Sequence, residues 1–448
     1  MAFPTNTIFL GMRSSEDFAP DSARPTSYRE MILYMFPNGD MPLTGLMSKM
    51  SSESVDDPKF TFYQQALPNQ RGAITGKYTN STLATPYTGS AAAANSQLFL
   101  KMAAADVQHF RKGHQILIRD ASDFDVDKNA EVIMEPVSNG VNSFLTCQLI
   151  EADSSTDAGN SLANADVALV IGNINAEGAP RPQAIAYDPN ELWNVTQIFR
   201  TPMEITRTAK NTKLRTPEAK ARAKKEALQL HGIEMEKAFI FGQRSQRTDP
   251  STGNFKRSTR GIISSIRAES GAIVKNFALD SDYNGASWLE GGEDFLNNRL
   301  RQIFRYGSKR KVAFSGDVGL AAINQLVLNK GTFNFTAQTA AYGIQITTWV
   351  TPFGTLDIIT HPLFTYESSN ERTMVIYDPT MLKYRYLQNS DTNYYEYTST
   401  KGQQGEIGYD ADLGEFLTEA GLEFHHPITG GILYGLGLNN QQGQSANF

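Results

Sequence analysis

One run of sequence constrains the rest of the chain: Thr216 to Gly242, TPEAKARAKKEALQLHGIEMEKAFIFG. Thr216 suits a helix cap. Pro217 falls at the first helical position, where its missing N–H is harmless. Ala219, Ala221, Ala223 and Ala227 favour the helix that follows. On a helical wheel Ala221, Leu228, Met235 and Phe239 fall together, and Ala223, Ala227, Leu230 and Phe241 widen that stripe. Arg222, Lys225, Gln229 and Glu236 take the other side. At 1.5 Å per residue the helix reaches about 40 Å, against a mean helix of about 11 residues. Such a helix serves either as a beam through an extended molecule or as a long surface helix of an α+β enzyme.

The rest of the 448 residues can bury a sizeable core in two or three domains. Lys and Arg number 41 against 47 Asp and Glu, a net charge of −6, which implies no global attraction to nucleic acid. The single cysteine, Cys147, excludes an internal disulfide framework. It sits in the alternating run SFLTCQLIE as a candidate core residue. No apolar run approaches membrane-spanning length, and the N-terminus does not read as a secretory signal.

Residues 1 to about 60 show little periodicity beyond a short helical patch, SYREMILYMFP, and read as an arm held by a neighbouring subunit. PKFTFYQQAL is a strand candidate, and AAAANSQLFLKMAAADVQHF is expected to be helical in part. HQILIRDA, AEVIMEPV, SFLTCQLIEA and DVALVIGN read as short strands of a β module near 108–178. PRPQAIAYDPNELWNVTQIFRTPMEITRTAK looks extended, with a hairpin arm. After the long helix, QRSQRTDPSTGNFKRSTRG is a polar, turn-rich loop. Helices are expected near 286–305 and over DVGLAAINQLVLNK. Strands are expected at KRKVAFSG, on both sides of Thr351–Gly354, at TMVIYDP, and near both ends of 413–437. The fold class is α+β.

No catalytic, cofactor or metal site emerges. RGAITGKY (Arg71–Tyr78) looks like a phosphate loop, but three residues rather than four separate Gly72 from Gly76, and Tyr78 replaces the magnesium-binding Ser/Thr. Asp123, Asp125 and Asp127 begin as a calcium loop would, yet Lys128 stands where the turn glycine belongs and Met134 where the last ligand belongs. A solvated hairpin loop is the simpler reading. His425 and His426 are adjacent, so in an extended segment they point to opposite faces. His109 and His114 are also poorly spaced for shared ligation.

Charge is distributed unevenly. Arg200 to Arg267 holds 16 basic and 6 acidic residues, and Thr365 to Phe448 holds 4 basic and 11 acidic ones. Arg207, Lys210, Lys213, Arg215, Lys220, Arg222, Lys224 and Lys225 crowd the helix start, where cations oppose the helix dipole. A solvated helix start is the plain reading. A negatively charged partner, either a neighbouring subunit or a nucleic acid backbone, would make the placement sensible.

The order of these features resembles the major capsid proteins of tailed bacteriophages, which share the Hong Kong 97-type fold. The stretches that carry the resemblance are NVTQIFRTPMEITRTA, EMEKAFIFG, TRGIISSI, YGIQITTWVTPFGTLDIITHP and EFLTEAGLEFHHPITGGILYGL, within residues 60–448. The resemblance implies an N-terminal arm (1–60), an extended loop (61–107 and 179–212) and an inserted β module (108–178). It implies a peripheral domain with the spine helix (213–265, 336–364 and 413–448) and an axial domain (266–335 and 365–412). The implied function is self-assembly into pentamers and hexamers of an icosahedral head around double-stranded DNA. Implied partners are other copies of the chain, a separate scaffolding protein, a portal, a decoration protein and the packaged DNA by non-specific contact. No membrane and no cofactor are implied. Assembly would take place in the bacterial host cytoplasm, with no removed prodomain and no Lys–Asn cross-link. The competing readings are a β-rich decoration or fibre-type virion protein and, further off, a hydrolase.

Overall fold

A computed structural model describes residues 51–65, 68–89, 92–122, 127–153, 161–211, 219–330, 335–339, 345–365, 369–397 and 411–441. The expectations for the arm up to residue 50, and for the cap at Thr216 and Pro217, lie outside these residues. The chain forms two compact units. One comprises residues 65–190, and the other comprises residues up to 64 together with 191–448.

The described chain opens in the larger unit with β1 (Ser52–Val55) and β2 (Lys59–Gln64). It then builds the smaller unit from β3 (Arg71–Tyr78), β4 (Gln97–Met102), a single turn α1 (Ala104–Val107), β5 (His114–Arg119), β6 (Asp127–Val132), β7 (Phe144–Leu149) and β8 (Val167–Asn173). These strands close a barrel in the order β3-β4-β7-β6-β5-β8. Closure pairs every strand on both sides and removes exposed edges. Alternate residues point inward, as the period-2 pattern requires. Leu98, Leu100, Ile116, Ile118, Val132, Leu145, Cys147 and Leu149 fill the interior. Two segments differ from expectation. Arg71–Tyr78 and Gln97–Met102, read as extended loop and partial helix, are barrel strands. Helix-favouring alanines surround Gln97–Met102, but pairing with β3 and β7 and burial of Leu98 and Leu100 override them.

The larger unit resumes with β9 (Asn190–Val195), β10 (Gln197–Thr206), α2 (Arg207–Asn211) and α3 (Ala219–Phe241). A hairpin follows, β11 (Ser245–Thr248) and β12 (Phe255–Ser258). Next come α4 (Ile262–Ala268), β13 (Ile273–Asn276), α5 (Trp288–Ile303), β14 (Arg310–Ser315) and α6 (Asp317–Lys330). The chain continues with β15 (Phe335–Thr339), β16 (Gln345–Thr351), β17 (Gly354–Thr360), α7 (Pro362–Thr365), β18 (Met374–Tyr377), β19 (Leu382–Leu387), β20 (Asn393–Tyr397), β21 (Ala411–Phe424) and β22 (Gly431–Tyr434). One sheet runs β1-β19-β21-β10, with β20 also on β21. A second, seven-stranded sheet runs β13-β22-β18-β14-β17-β16-β15. The expected hairpin arm at 180–210 does not form: β9 pairs with β2, and β10 pairs along its whole length with β21, Gln197 opposite Ala420 through Thr206 opposite Ala411.

Helix α3 lies on the β10–β21 sheet. Ala227 and Leu228 pack with Met203 and Phe416, and Met235, Phe239 and Ile240 pack with Phe199 and the core beyond. The helical wheel expected from sequence is partly corrected here. Leu230 and Phe241 are exposed, and so is Ala221. Leu230 follows Leu228 by two residues, as Phe241 follows Phe239, which turns each about 200° around the helix. Glu236, assigned to the wet face, is fully buried. Helix α5 begins at a capping box, Ser287 with Glu290, and seats Trp288, Phe295, Leu300 and Ile303 in the second core.

Candidate functional site

The basic residues at the start of the long helix face the acidic strands that follow much later in sequence. β10 and β21 are paired, so α2 and the first turns of α3 come down beside β20 and β21. Lys210 Nζ lies 2.6 Å from Asp412 Oδ2. Lys220 bonds to Glu396 and lies 3.5 Å from Asp412. Lys224 Nζ stands 3.8 Å over the Tyr394 ring, and Arg222 pairs along the helix with Glu226 at 2.9 Å. One strand further on, Arg200 grips Glu415 with both nitrogen groups, and the Tyr397 hydroxyl donates to the same carboxylate at 2.7 Å. The hydrogen bond to Glu396 holds the Lys220 ammonium above its ordinary range. The bond from Lys210 holds the Asp412 carboxyl below its own.

The excess of cations and the later excess of carboxylates therefore meet partly inside one chain. Arg207 and Lys225 are exposed. Lys213 and Arg215 lie outside the described residues. Pairs this close to solvent contribute little each, about 0–1 kcal/mol, and fix register more than stability.

The other candidate residues have structural settings. Asp127 is held by Arg119 at 2.7 Å, while Asp123 and Asp125 lie outside the described residues. His109 stacks on Tyr187, and His114 is buried against Arg111. His425 packs against Phe62 and bonds to Glu423, which also takes Arg385. Arg385 in turn reaches Glu53 on β1. His426 stands past the end of the strand, its backbone in the left-handed region at φ +46°, so the extended geometry expected of the pair does not hold. Cys147 is fully buried, and burial pushes its thiol up to about 12. Among the described residues no three His, Cys, Asp or Glu side chains gather as a metal site.

Two features escaped the sequence reading. One is the buried pair of Glu236 and His361, joined at 2.8 Å with both side chains fully covered. A polar residue at the margin of an apolar stripe was its only sequence signal. The other is the β11–β12 hairpin, taken for a loop. Its signal was the turn cluster DPSTGN between SQRT and FKRS.

What the arrangement provides is ion pairing and sheet edges. A family model of the SU10 major capsid protein matches residues 6–437. The chain is 21% identical over 436 residues to the major capsid protein of Pseudomonas phage PaMx41, covering 93% of this chain and 94% of that one. Solved structures with some likeness include the capsid of cyanophage P-SCSP1u (10% identity, TM-score 0.36, 60% of this chain and 80% of that chain). The holo-SrpI encapsulin complex of Synechococcus elongatus PCC 7942 is another (10% identity, TM-score 0.38, 58% of this chain and 80% of that chain). The chain is thus a phage capsid protein, structural rather than enzymatic, and part of a virion shell made with other copies of itself. It belongs to the SU10 major capsid protein family.

Proposed function

We propose that the chain builds an icosahedral phage head of pentamers and hexamers around double-stranded DNA, in the Hong Kong 97-type arrangement. The observation that carries this reading is the family match over residues 6–437. A long helix laid across a sheet whose strands come from 52–55, 197–206 and 382–424 is consistent with it. In this reading α3 is the spine of a peripheral domain made of 213–265, 336–364 and 413–448, and 266–335 with 365–412 form the axial domain. The β barrel is an insertion in the extended loop, and the first 60 residues are an arm fixed by neighbours on assembly. The subunit works through many modest contacts repeated around a closed shell, not through one deep pocket. A separate scaffolding protein and a portal are its partners during assembly in the host cytoplasm. Of the basic helix start, Lys225 and Arg207 are exposed. We assign this segment to contact with a neighbouring subunit, and secondarily to the DNA-facing surface.

The test is electron microscopy of the chain expressed with its scaffold, beside light scattering of the chain alone. Closed icosahedral particles, or pentamers and hexamers that convert to them, are expected. A persistent monomer or dimer at every salt concentration would overturn the reading. Replacing Lys220, Lys224 and Lys225 by glutamine should slow assembly in a salt-sensitive way. Unchanged assembly would remove the segment from the interface.

A further inference from the structure

The hairpin of β11 and β12 is the part of the larger unit that its own core explains least. Its ladder pairs Ser245 with Ser258, Gln246 with Arg257, Arg247 with Lys256 and Thr248 with Phe255. Opposed residues share a face. Arg247 and Lys256 therefore stand side by side on one face, a like-charged pair that weakens a free hairpin. On the other face Phe255 is 64% exposed. A two-stranded hairpin whose tip half is exposed on both faces is marginal by itself.

Its tip is nevertheless well held. Asp249 accepts from Ser251 Oγ at 2.9 Å, Thr252 Oγ1 at 2.8 Å and Lys256 Nζ at 3.0 Å. Gly253 makes the turn at φ +73°, where a side chain would be strained. Such a stapled loop is ordered before any partner arrives, so little ordering entropy remains to be lost on docking.

Charge points to what it meets. Residues 243–260 hold five basic residues and one acid, Asp249, which the tip already uses. Arg244 lies 3.6 Å over the Trp193 ring, and Arg257 is 3.9 Å from Glu419. Arg247 is exposed and has no acidic partner among the described residues. Residues 276–298 hold the complement: Asp280, Asp282, Glu290, Glu293 and Asp294, with no Lys or Arg. Arg299 takes Asp280 and Asp282, both at 2.6 Å, and Asp294 is exposed. The hairpin packs on β10, whereas the acidic run leads into α5, which packs on β13 and α6.

We propose that the hairpin is a clasp between copies of this chain, inserting Arg247 and Phe255 against the acidic run 280–294 of a second copy. Arg247 and Lys256 on one face and Phe255 on the other suit insertion between two protein surfaces, where Arg and aromatic residues are enriched, better than lying along a phosphate backbone. Unlike patches that meet head to tail generate rings, the contact a closed shell needs. The proposal rests on shell assembly by the chain.

Assembly of the full chain with its scaffold, followed by light scattering and electron microscopy, tests it. Arg247→Glu with Phe255→Ser should slow assembly at least tenfold while the thermal unfolding of the unassembled subunit stays that of the wild type. Arg247→Glu alone should also slow it, and adding Asp294→Arg in the same chain should restore much of the rate. Wild-type rates for Arg247→Glu, or no restoration by Asp294→Arg, would overturn the clasp. Normal shells that retain less DNA would assign the hairpin to the phosphate backbone instead, and also overturn it. Absence of shells from the wild-type chain counts against the shell reading itself and takes the clasp with it.

Discussion

His231 sits on α3 with no exposure at all. Its Nε2 bonds to Thr418 Oγ1 at 2.7 Å, and Thr418 donates onward to Thr392, so Thr418 accepts the Nε2 proton. Nδ1 faces Thr201 Oγ1 at 3.0 Å. Both ring nitrogens have hydroxyl partners, Thr201 Oγ1 also donating to Glu234 Oε2 at 3.3 Å, and burial lowers the pKa from 6.5 to about 4. The unfolded chain therefore takes up a proton below pH 6.5 that the folded chain refuses until about pH 4. Stability is unaffected above that window, falls as pH drops through it, and loses about 3 kcal/mol by its lower end. Denaturant midpoints of the unassembled subunit across this range should show the fall, and His231→Gln should flatten it. An equal slope in the variant would assign the loss to other groups. The Glu236–His361 pair behaves differently, because each side chain is the other's counterpart in a fully covered place. Removing one partner takes a buried hydrogen bond from the other, so His361→Leu should destabilise by about 1–3 kcal/mol. Replacing both partners together, Glu236→Leu with His361→Leu, should cost less than the two single changes summed, and a strictly additive loss would show the pair uncoupled.

At the scale of elements, α3 has a buried side and a wet side that mutation can separate. Leu228→Ala removes a side chain packed on Met203 and Phe416 and should cost about 2–5 kcal/mol. Leu230→Ser changes a side chain that is 55% exposed and should stay within about 0.5 kcal/mol. Equal losses, read from denaturant melts, would refute this placement of the helix. The existence of α3, α5 and α6 was legible in the sequence because each carries strong helical periodicity or terminal signals. The strands of the barrel from β5 to β8 were legible from alternation and turn residues. The exact face of α3 was less so: Leu228 and Leu230 are the same residue type two positions apart, and only the sheet beneath decides which is covered. β3 and β4 were obscured because Gly, Thr and Ala surround them, and their strand character comes from neighbours distant in sequence. The charged segment stood out from composition alone, but its carboxylate partners Glu396 and Asp412 lie some two hundred residues away and are reached only through the β10–β21 ladder.

For the whole molecule, the two units have separate cores, and one cysteine reports on one of them. The chain leaves the larger unit after β2 and re-enters it at β9, and those two strands pair with each other. An insertion that leaves and returns at paired strands can open without unravelling its host. Cys147 lies on β7 inside the barrel, its Sγ 3.3 Å from the Leu98 carbonyl oxygen. Thiol reagents attack the thiolate, and burial has pushed this thiol up to about 12. Labelling therefore requires the barrel to open, and its rate measures that opening rather than global unfolding. Leu228→Ala should lower the melting point of the larger unit and leave the rate of Cys147 labelling below that melt unchanged, as residues in separate cores without shared partners add independently. A substitution inside the barrel core, Ile116→Ala, should do the reverse and speed labelling at least tenfold. If Leu228→Ala speeds labelling as much as Ile116→Ala does, the units unfold as one body, and the barrel is not the independent insertion that its closed sheet and separate core make it.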